Sequence, residues 1–530
     1  MKTRTRGANM QYVMALDAGS GNCRSIIFTI GGEEISSGSR EWLHPSLPGY
    51  PGSQVFDAAQ NWALMCASIR EALEKGRVGA QQIAAVSATS MRFGSILYDG
   101  KGMELWGAPN TDSRAREQVV EAVRNGHFEQ FYRITGDGFT LCDVMRWQWV
   151  KKNLPELWSK VRHFTLISDW ILYRLTGLFV SEHSIAASSG LYDIFRGSWS
   201  QELAGLFGIP PGFCPEIAKS GSVIGKVHRK AAGETGLSEG TPVVVGGGDT
   251  MAGLVGTGGV DQSISTVIGG THWQQTFLSR GAGVDPHSRV RVSPHMVPDL
   301  WMYETNAVFI GLAMRWFRDT FCQLEKHSSE STGCDAYHLM EKLAEHASPG
   351  SNGLQAMFAN LFDVKKWVHG PSAFMQFDVT APHRFTRGEF IRKIEEDAAF
   401  QSLGNLLHIW EAAGIQPDSS TEVVFAGGAS KGFLWPQILA DVMGKRVKVP
   451  VVKEATALGT AICAGVGIGA HESVTSAARS LVKWERVLEP DAENHELYAT
   501  LYKRWRELYR RMLELTNEGL LEPMWKPAGT

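Results

Sequence analysis

The chain has 530 residues, 43% of them hydrophobic and 20% charged, with a net charge of −3. That length exceeds a single hydrophobic core and predicts two domains; 52 basic against 55 acidic residues, with no polybasic tail, exclude an electrostatic partner such as nucleic acid. Seven widely spaced cysteines without a CxxC pair point to reduced thiols in a cytoplasm, not to disulfides or a zinc site, and no apolar run approaches the ~20 residues of a membrane span.

Lys2, Arg4 and Arg6 resemble the basic end of a signal peptide, but the apolar stretch 12–16 is cut off at Asp17, too early for its apolar core. Residues 12–16 predict a strand, Asp17-Ala18-Gly19-Ser20-Gly21 a turn, and 24–29 a second strand running into a Gly31-Gly32 hairpin. Over 58–73, Trp62, Met65, Ile69 and Leu73 recur at helical spacing. A buried strand is expected at 83–87, and helices over 112–123 and 169–175, opened by Asp112 and Asp169. Pro210-Pro211-Gly212 marks a loop. Residues 242–245 read as a strand entering a triple-glycine turn, Gly246-Gly247-Gly248, with Asp249 at the start of a helix.

Strands over 264–268 and 273–278 flank Gly269-Gly270-Thr271 and repeat the opening strand–turn–strand plan. The domain boundary is placed near 255–262, giving domains 1–257 and 258–530. The second half then predicts helices over 309–323, 336–347 and 386–413, with a polar, linker-like stretch at 328–333. A strand at 423–425 leads into Ala426-Gly427-Gly428-Ala429-Ser430-Lys431 and a helix over 434–443. A charged amphipathic helix at 495–515 carries Trp505, Leu508 and Met512 on one face. Strands alternating with helices indicate an α/β class with partly parallel sheets, plus antiparallel hairpins.

Three glycine-rich turns follow strands, and each offers backbone N–H groups that phosphate oxygens can approach. The first adds the Asp17 carboxylate, suited to a hydrated Mg²⁺, and the Ser20 hydroxyl. Gly270-Thr271 repeats the glycine-plus-hydroxyl arrangement, and Gly427-Gly428 offers bare backbone to a nucleotide. No GxxxxGK[ST], strict GxGxxG or HExxH segment exists, which removes a P-loop fold, lowers the case for a dehydrogenase and removes a catalytic zinc helix. Ser90-Met91-Arg92 and Ser188-Ser189-Gly190 are not nucleophile elbows. Asp249 reads either as a helix N-cap or as a general base aimed into a cleft. Phosphoryl transfer needs a positioned hydroxyl, a proton acceptor and charge neutralisation at the γ-phosphate, which Asp17 with Mg²⁺, Asp249 and the Thr271 turn supply together.

These segments in this order resemble the motif set of the FGGY carbohydrate kinases. Trp106 with Asp112-Ser113-Arg114, Arg174-Leu175-Thr176-Gly177 and Glu454-Ala455-Thr456-Ala457-Leu458-Gly459 agree. So do Thr271-His272-Trp273-Gln274-Gln275, Met314 to Asp319, Val451-Val452-Lys453 and Trp525-Lys526. The resemblance implies two actin-like (ribonuclease H-like) domains around a catalytic cleft, the first on the substrate side and the second on the nucleotide side. It implies ATP and Mg²⁺ as cofactors, Asp249 as catalytic base, and Asp17 and Asp249 near the metal. Nucleotide contacts fall on Asp17, Gly19, Ser20, Gly270, Thr271, Gly427, Gly428 and Lys431; substrate contacts fall on Arg92, Asp112, Asp249, His272 and Trp273. Each substrate residue has a structural alternative: a salt bridge for Arg92, a helix cap for Asp112, core packing for His272 and Trp273.

The implied substrate is the terminal hydroxyl of a short linear molecule, in the first place a five-carbon dihydroxydione. A xylulose-, erythritol- or glycerol-type acceptor is the alternative, and a non-catalytic sugar sensor on the same fold the next. Two departures bear on this choice. Phe93 follows Arg92 where relatives carry a polar residue, and Asp143 departs from the signature that Arg146, Trp149 and Asn153 fit.

Overall fold

The computed structural model describes residues 11–525 except 263, 308, 359, 367, 419–420 and 452–453. Lys2, Arg4 and Arg6, and Val452, Lys453 and Lys526 of the family-like segments, lie outside the described residues. Two mixed sheets are built on one plan. Across the first, the order is Val223–Lys226, Pro242–Gly248, Ile83–Ser90, Tyr12–Ala18, Asn22–Thr29, Glu34–Glu41. The strands at 242–248, 83–90 and 12–18 run parallel and their neighbours antiparallel. Across the second, the order is Arg291–Pro294, Trp301–Ala307, Trp273–Ser279, Ile264–Gly269, Glu422–Ala426, Val447–Pro450, Trp484–Leu488. There 264–269, 422–426 and 447–450 are parallel. Each half therefore opens with a hairpin and continues through parallel crossovers, the arrangement of an actin-like domain.

Tyr12–Ala18 is buried along its whole length, so it is apolar apart from Asp17 near its end, as suits a central parallel strand. The helix Ala58–Gly76 covers the first sheet; Asp57 caps it by accepting from the Gln60 amide at 3.0 Å. On the second sheet lies Arg387–Ala412, opened by a capping box between Thr386 and Glu389. The C-terminal helix, Ala492–Asn517, buries Tyr498, Trp505 and Tyr509 against it, and the Trp505 indole donates to Asp397 at 2.6 Å.

The helix after each sheet's third parallel strand closes the molecule. Asp249–Gly256 and Ala455–Gly467 cross backbone to backbone. A Cβ at Gly256 would stand 1.9 Å from the Ala455 carbonyl oxygen, and one at Gly459 the same distance from that of Ala252. Both glycines are required by that approach. The second helix also rests on the first sheet, so Val13, Ala15 and Val244 share a core with Leu254, Ala457 and Ile462.

Three expectations change. The glycines 246–248 belong to the strand Pro242–Gly248, because Gly246 packs directly on the neighbouring strand, where a Cβ would meet the Ala88 carbonyl oxygen at 2.1 Å. The helix expected from Asp112 begins at Arg116. The stretch 328–333 is not a linker: it ends the helix Gln323–Thr332, where Ser331 and Thr332 hydroxyls donate back to the Ser328 carbonyl and Gly333 closes the helix at φ 73°. All seven thiols are free, and no described helix is long and apolar enough to cross a membrane.

Candidate active site

The strand registers set Ala18, Ser90 and Gly248 side by side at the carboxyl ends of the three parallel strands of the first sheet. The groups at these ends therefore converge: the Asp17–Gly21 turn, Arg92, and Asp249. Ligands of open α/β sheets collect at such carboxyl ends. Thr89 donates to the Gly247 carbonyl at 2.8 Å, and the Gly248 amide donates to Ser184 at 3.0 Å, which fixes the strand end that carries Asp249. The bare Gly248 lets the Arg92 stem pass, since a Cβ there would meet Arg92 Cγ at 3.3 Å.

Asp249 is half-buried, and its carboxylate accepts from the Thr250 amide at 2.7 Å. Burial pushes its pKa up to about 6; Arg92 opposes the rise, and the nearby charges of Asp17 and Glu304 add to it. That environment leaves a carboxyl poised near neutral pH, as a general base requires. Asp17 is buried and bonded at 2.5 Å to Arg24, whose other nitrogen reaches Glu454 at 2.5 Å. Arg24 therefore ties the first turn to the residue that opens the second half's crossing helix.

Arg92 makes a two-pronged bond to Glu304, both arms 2.7 Å long, and both groups are buried. Glu304 also accepts from Gln274 at 2.6 Å and Asn306 at 3.0 Å. Although burial opposes it, Arg92 and Arg291 hold the Glu304 carboxyl down at about 2. Gln274 in turn approaches Thr250 at 3.5 Å, which closes a chain of polar contacts from Asp249 to Arg92. Phe93 stands in the left-handed region at φ 63°, buried, with the Arg92 and Arg291 guanidiniums 5.4 and 5.6 Å from its ring. Two cations on one ring keep it in place.

The second sheet repeats the geometry. Ile268 and Ala426 are register partners, so the Gly269-Gly270-Thr271 and Gly427-Gly428 turns leave the sheet together. Gly427 has φ 93°, and a Cβ there would stand 2.6 Å from the Gly269 carbonyl oxygen. These turns line a cavity of about 450 Å³ bounded by Gly270, Thr271, Gly428 and Lys431 together with Trp273, Trp435, Met340 and Ile391. Glycine-turn backbone beside an apolar slot fits a nucleoside polyphosphate. Arg315 donates to the Thr271 hydroxyl at 3.4 Å.

The structure sorts the remaining residues. Gly19 and Ser20 lie in the first turn, and Asn110 donates to the Ser20 hydroxyl at 2.8 Å. Asp112 is neither helix cap nor open acceptor: it is buried against Arg114 at 2.6 Å and accepts from the Gln54 amide at 2.6 Å, with Arg146 nearby. Trp273, expected beside the substrate, stands instead in the cavity lined by the Gly270 and Gly428 turns, next to Trp435, ring centroids 5.2 Å apart. It opens the strand Trp273–Ser279 and packs toward the helix Trp435–Met443, away from the Asp249–Arg92 group. His272 is exposed in the Thr271 turn, where its carbonyl accepts from the Gly270 amide at 3.2 Å. Sequence reasoning missed Glu304 and Arg291. The only available signal was an acid inside the strand Trp301–Ala307, opposite an arginine in the neighbouring strand.

Two actin-like domains, with a poised carboxylate on one side of the cleft and paired glycine turns on the other, define a phosphotransferase of the sugar-kinase type. The chain belongs to the FGGY family of carbohydrate kinases: the family's N-terminal domain matches residues 12–256 and its C-terminal domain residues 276–468. Among similar proteins, an autoinducer-2 kinase of Salmonella paratyphi B is 40% identical over 521 residues, 98% of each chain. Another, of Escherichia coli K12, is 40% identical over 528 residues, 99% of each. The xylulose kinase of Rhodospirillum rubrum superposes with a TM-score of 0.83 over 96% of this chain and 100% of its own, at 23% identity. For a glycerol kinase of Plasmodium falciparum with ADP, the TM-score is 0.81 over 95% and 98%, at 17% identity. These two share the fold.

Proposed function

We propose that this carbohydrate kinase phosphorylates the terminal hydroxyl of autoinducer-2, in its linear form 4,5-dihydroxypentane-2,3-dione, using ATP in the cytoplasm. The observation that carries the catalytic reading is Asp249: a carboxyl with pKa about 6 at the strand end shared with Asp17 and Arg92. The dione is favoured by the full-length similarity to autoinducer-2 kinases.

In this reading the first half, 1–257, holds the acceptor and the second, 258–530, the nucleotide. Arg92, held rigid by Glu304, directs guanidinium hydrogens at the dione's oxygens. Asp249 takes the proton of the attacking hydroxyl as its oxygen bonds to the γ-phosphorus; the bond from that phosphorus to the β-bridging oxygen breaks, and ADP carries the electron pair away. Thr271, Gly427 and Gly428 give their backbone N–H groups to phosphate oxygens, the Gly270 amide being bonded to the His272 carbonyl. Among the described residues no cage of three or more His, Cys, Asp or Glu side chains exists. Asp17 and Asp249 still fit Mg²⁺, which is held by one or two carboxylates plus substrate phosphates. That ion neutralises phosphate charge when bound.

A panel of linear C4–C6 acceptors in a coupled ADP-release assay tests the substrate. The dione should give the highest kcat/KM. Faster turnover of xylulose, erythritol or glycerol assigns the chain to the second reading, which Phe93 favours because its ring accepts no hydroxyl hydrogen bond; no ADP release with any acceptor favours the sensor reading. The pH profile is a separate check. Because the base must be ionised, kcat/KM should fall about tenfold per unit on the acid side of a pKa near 6. A profile flat down to about pH 4.5 removes Asp249 from that role.

A further inference from the structure

Three side chains in and beside the 450 Å³ cavity have buried polar atoms with no hydrogen-bond partner among the described residues: the indole N–H groups of Trp273 and Trp435, and both carboxyl oxygens of Glu395. All three side chains are buried, Glu395 being only 1% exposed. Unsatisfied buried groups are rare in native proteins, and three in one cavity call for a common cause. Glu395 lies in the middle of Arg387–Ala412, one turn beyond Ile391, which shares the cavity wall. Its neighbour Glu341 lines the same cavity but is already used, accepting from the Phe433 amide at 2.9 Å and the Trp435 amide at 3.4 Å. Burial and the charges of Glu341 and Glu396 push the Glu395 carboxyl well above its usual range, against the opposing Arg392.

We propose that Glu395 reads the donor nucleotide's base, accepting a hydrogen bond from the exocyclic amino group of adenine while the indole N–H groups of Trp273 and Trp435 face its ring nitrogens. The complement is chemical: adenine offers one amino donor and several ring acceptors on an apolar face, and this cavity offers a carboxyl acceptor and two donors between apolar walls. A site built to bond a particular polar group discriminates strongly against an analogue that lacks it, because its own buried group is then left unpaired. This inference rests on the cavity being the nucleotide site, and it makes Glu395 a specificity residue.

The test compares ATP with purine riboside 5′-triphosphate, which lacks only the amino group, in the intact enzyme and in Glu395→Leu and Glu395→Gln. The native enzyme should favour ATP about tenfold or more in kcat/KM. Glu395→Leu should reduce that preference below about threefold, mainly by raising the KM for ATP, while Glu395→Gln, which keeps a carbonyl acceptor, should retain most of it. Thermal melting of both variants checks that they fold. A merely structural Glu395 would leave the preference ratio unmoved, and an unchanged ratio in Glu395→Leu, or no preference in the native enzyme, overturns the proposal. Gly427→Ala separates the two readings: its Cβ crowds the Gly269 carbonyl, so an unchanged KM for ATP there rejects the cavity as the nucleotide site whatever Glu395 does.

Discussion

Asp249→Asn should lower kcat by about 10³-fold, leave ADP affinity unchanged, and raise the melting temperature at neutral pH. The kinetic loss comes from removing a positioned proton acceptor, whose contribution is typically about 10²–10⁴-fold. The gain in stability comes from the same environment. With its pKa moved from 3.8 to about 6, the carboxyl binds its proton more tightly in the folded chain than in the unfolded one. Folding stability therefore falls as pH rises from about 4 to about 6, and the full cost is present above 6. A neutral amide avoids it, a gain on the order of 3 kcal/mol. Melting curves of the two proteins should thus separate at about pH 7.5 and converge near pH 4, with ADP titration calorimetry showing an intact nucleotide site. A loss in kcat below about tenfold, some 1.4 kcal/mol of barrier, would assign the proton to another group.

The carboxyl that carries this cost is legible in the sequence alone. The short apolar runs at 12–16 and 242–245 are central strands because nothing polar interrupts them, and the parallel register places the residues at their ends. Asp17 and Asp249 need no coordinates to be noticed. Arg92 is visible as a residue but not as half of a pair, because its partner Glu304 lies 212 positions away and comes from the other sheet. Asp112 resembles a helix cap because helix starts favour aspartate; the arginines at 114 and 146 hold it instead, and only the second of them is remote in sequence. The triple glycine resembles a turn because strands rarely carry three glycines, yet close packing of strand 242–248 on strand 83–90 demands one at position 246. Phe93 is legible as a departure, while its left-handed backbone and its place between two guanidiniums depend on the fold.

Glu304→Ala should be the most damaging single change at the cleft for stability, and it should also impair turnover. Glu304 is the shared acceptor of Arg92 from the first half, Arg291 from its own sheet at 4.0 Å, and Gln274 and Asn306. Truncating it leaves Arg92 buried without its counter-charge, a loss of about 3–5 kcal/mol, readable as a lower urea midpoint. Arg291 retains Asp137 at 2.8 Å, so the damage centres on Arg92. The double variant Arg92→Met/Glu304→Leu discriminates between roles. Replacing both charges by apolar groups of similar volume is often neutral for stability, so the urea midpoint should return toward the native value. Acceptor KM should not recover if the guanidinium faces the substrate as proposed, because that group is gone. If the double variant instead regained acceptor binding, the pair would serve only to join the two halves, and Asp249 would choose its hydroxyl without Arg92.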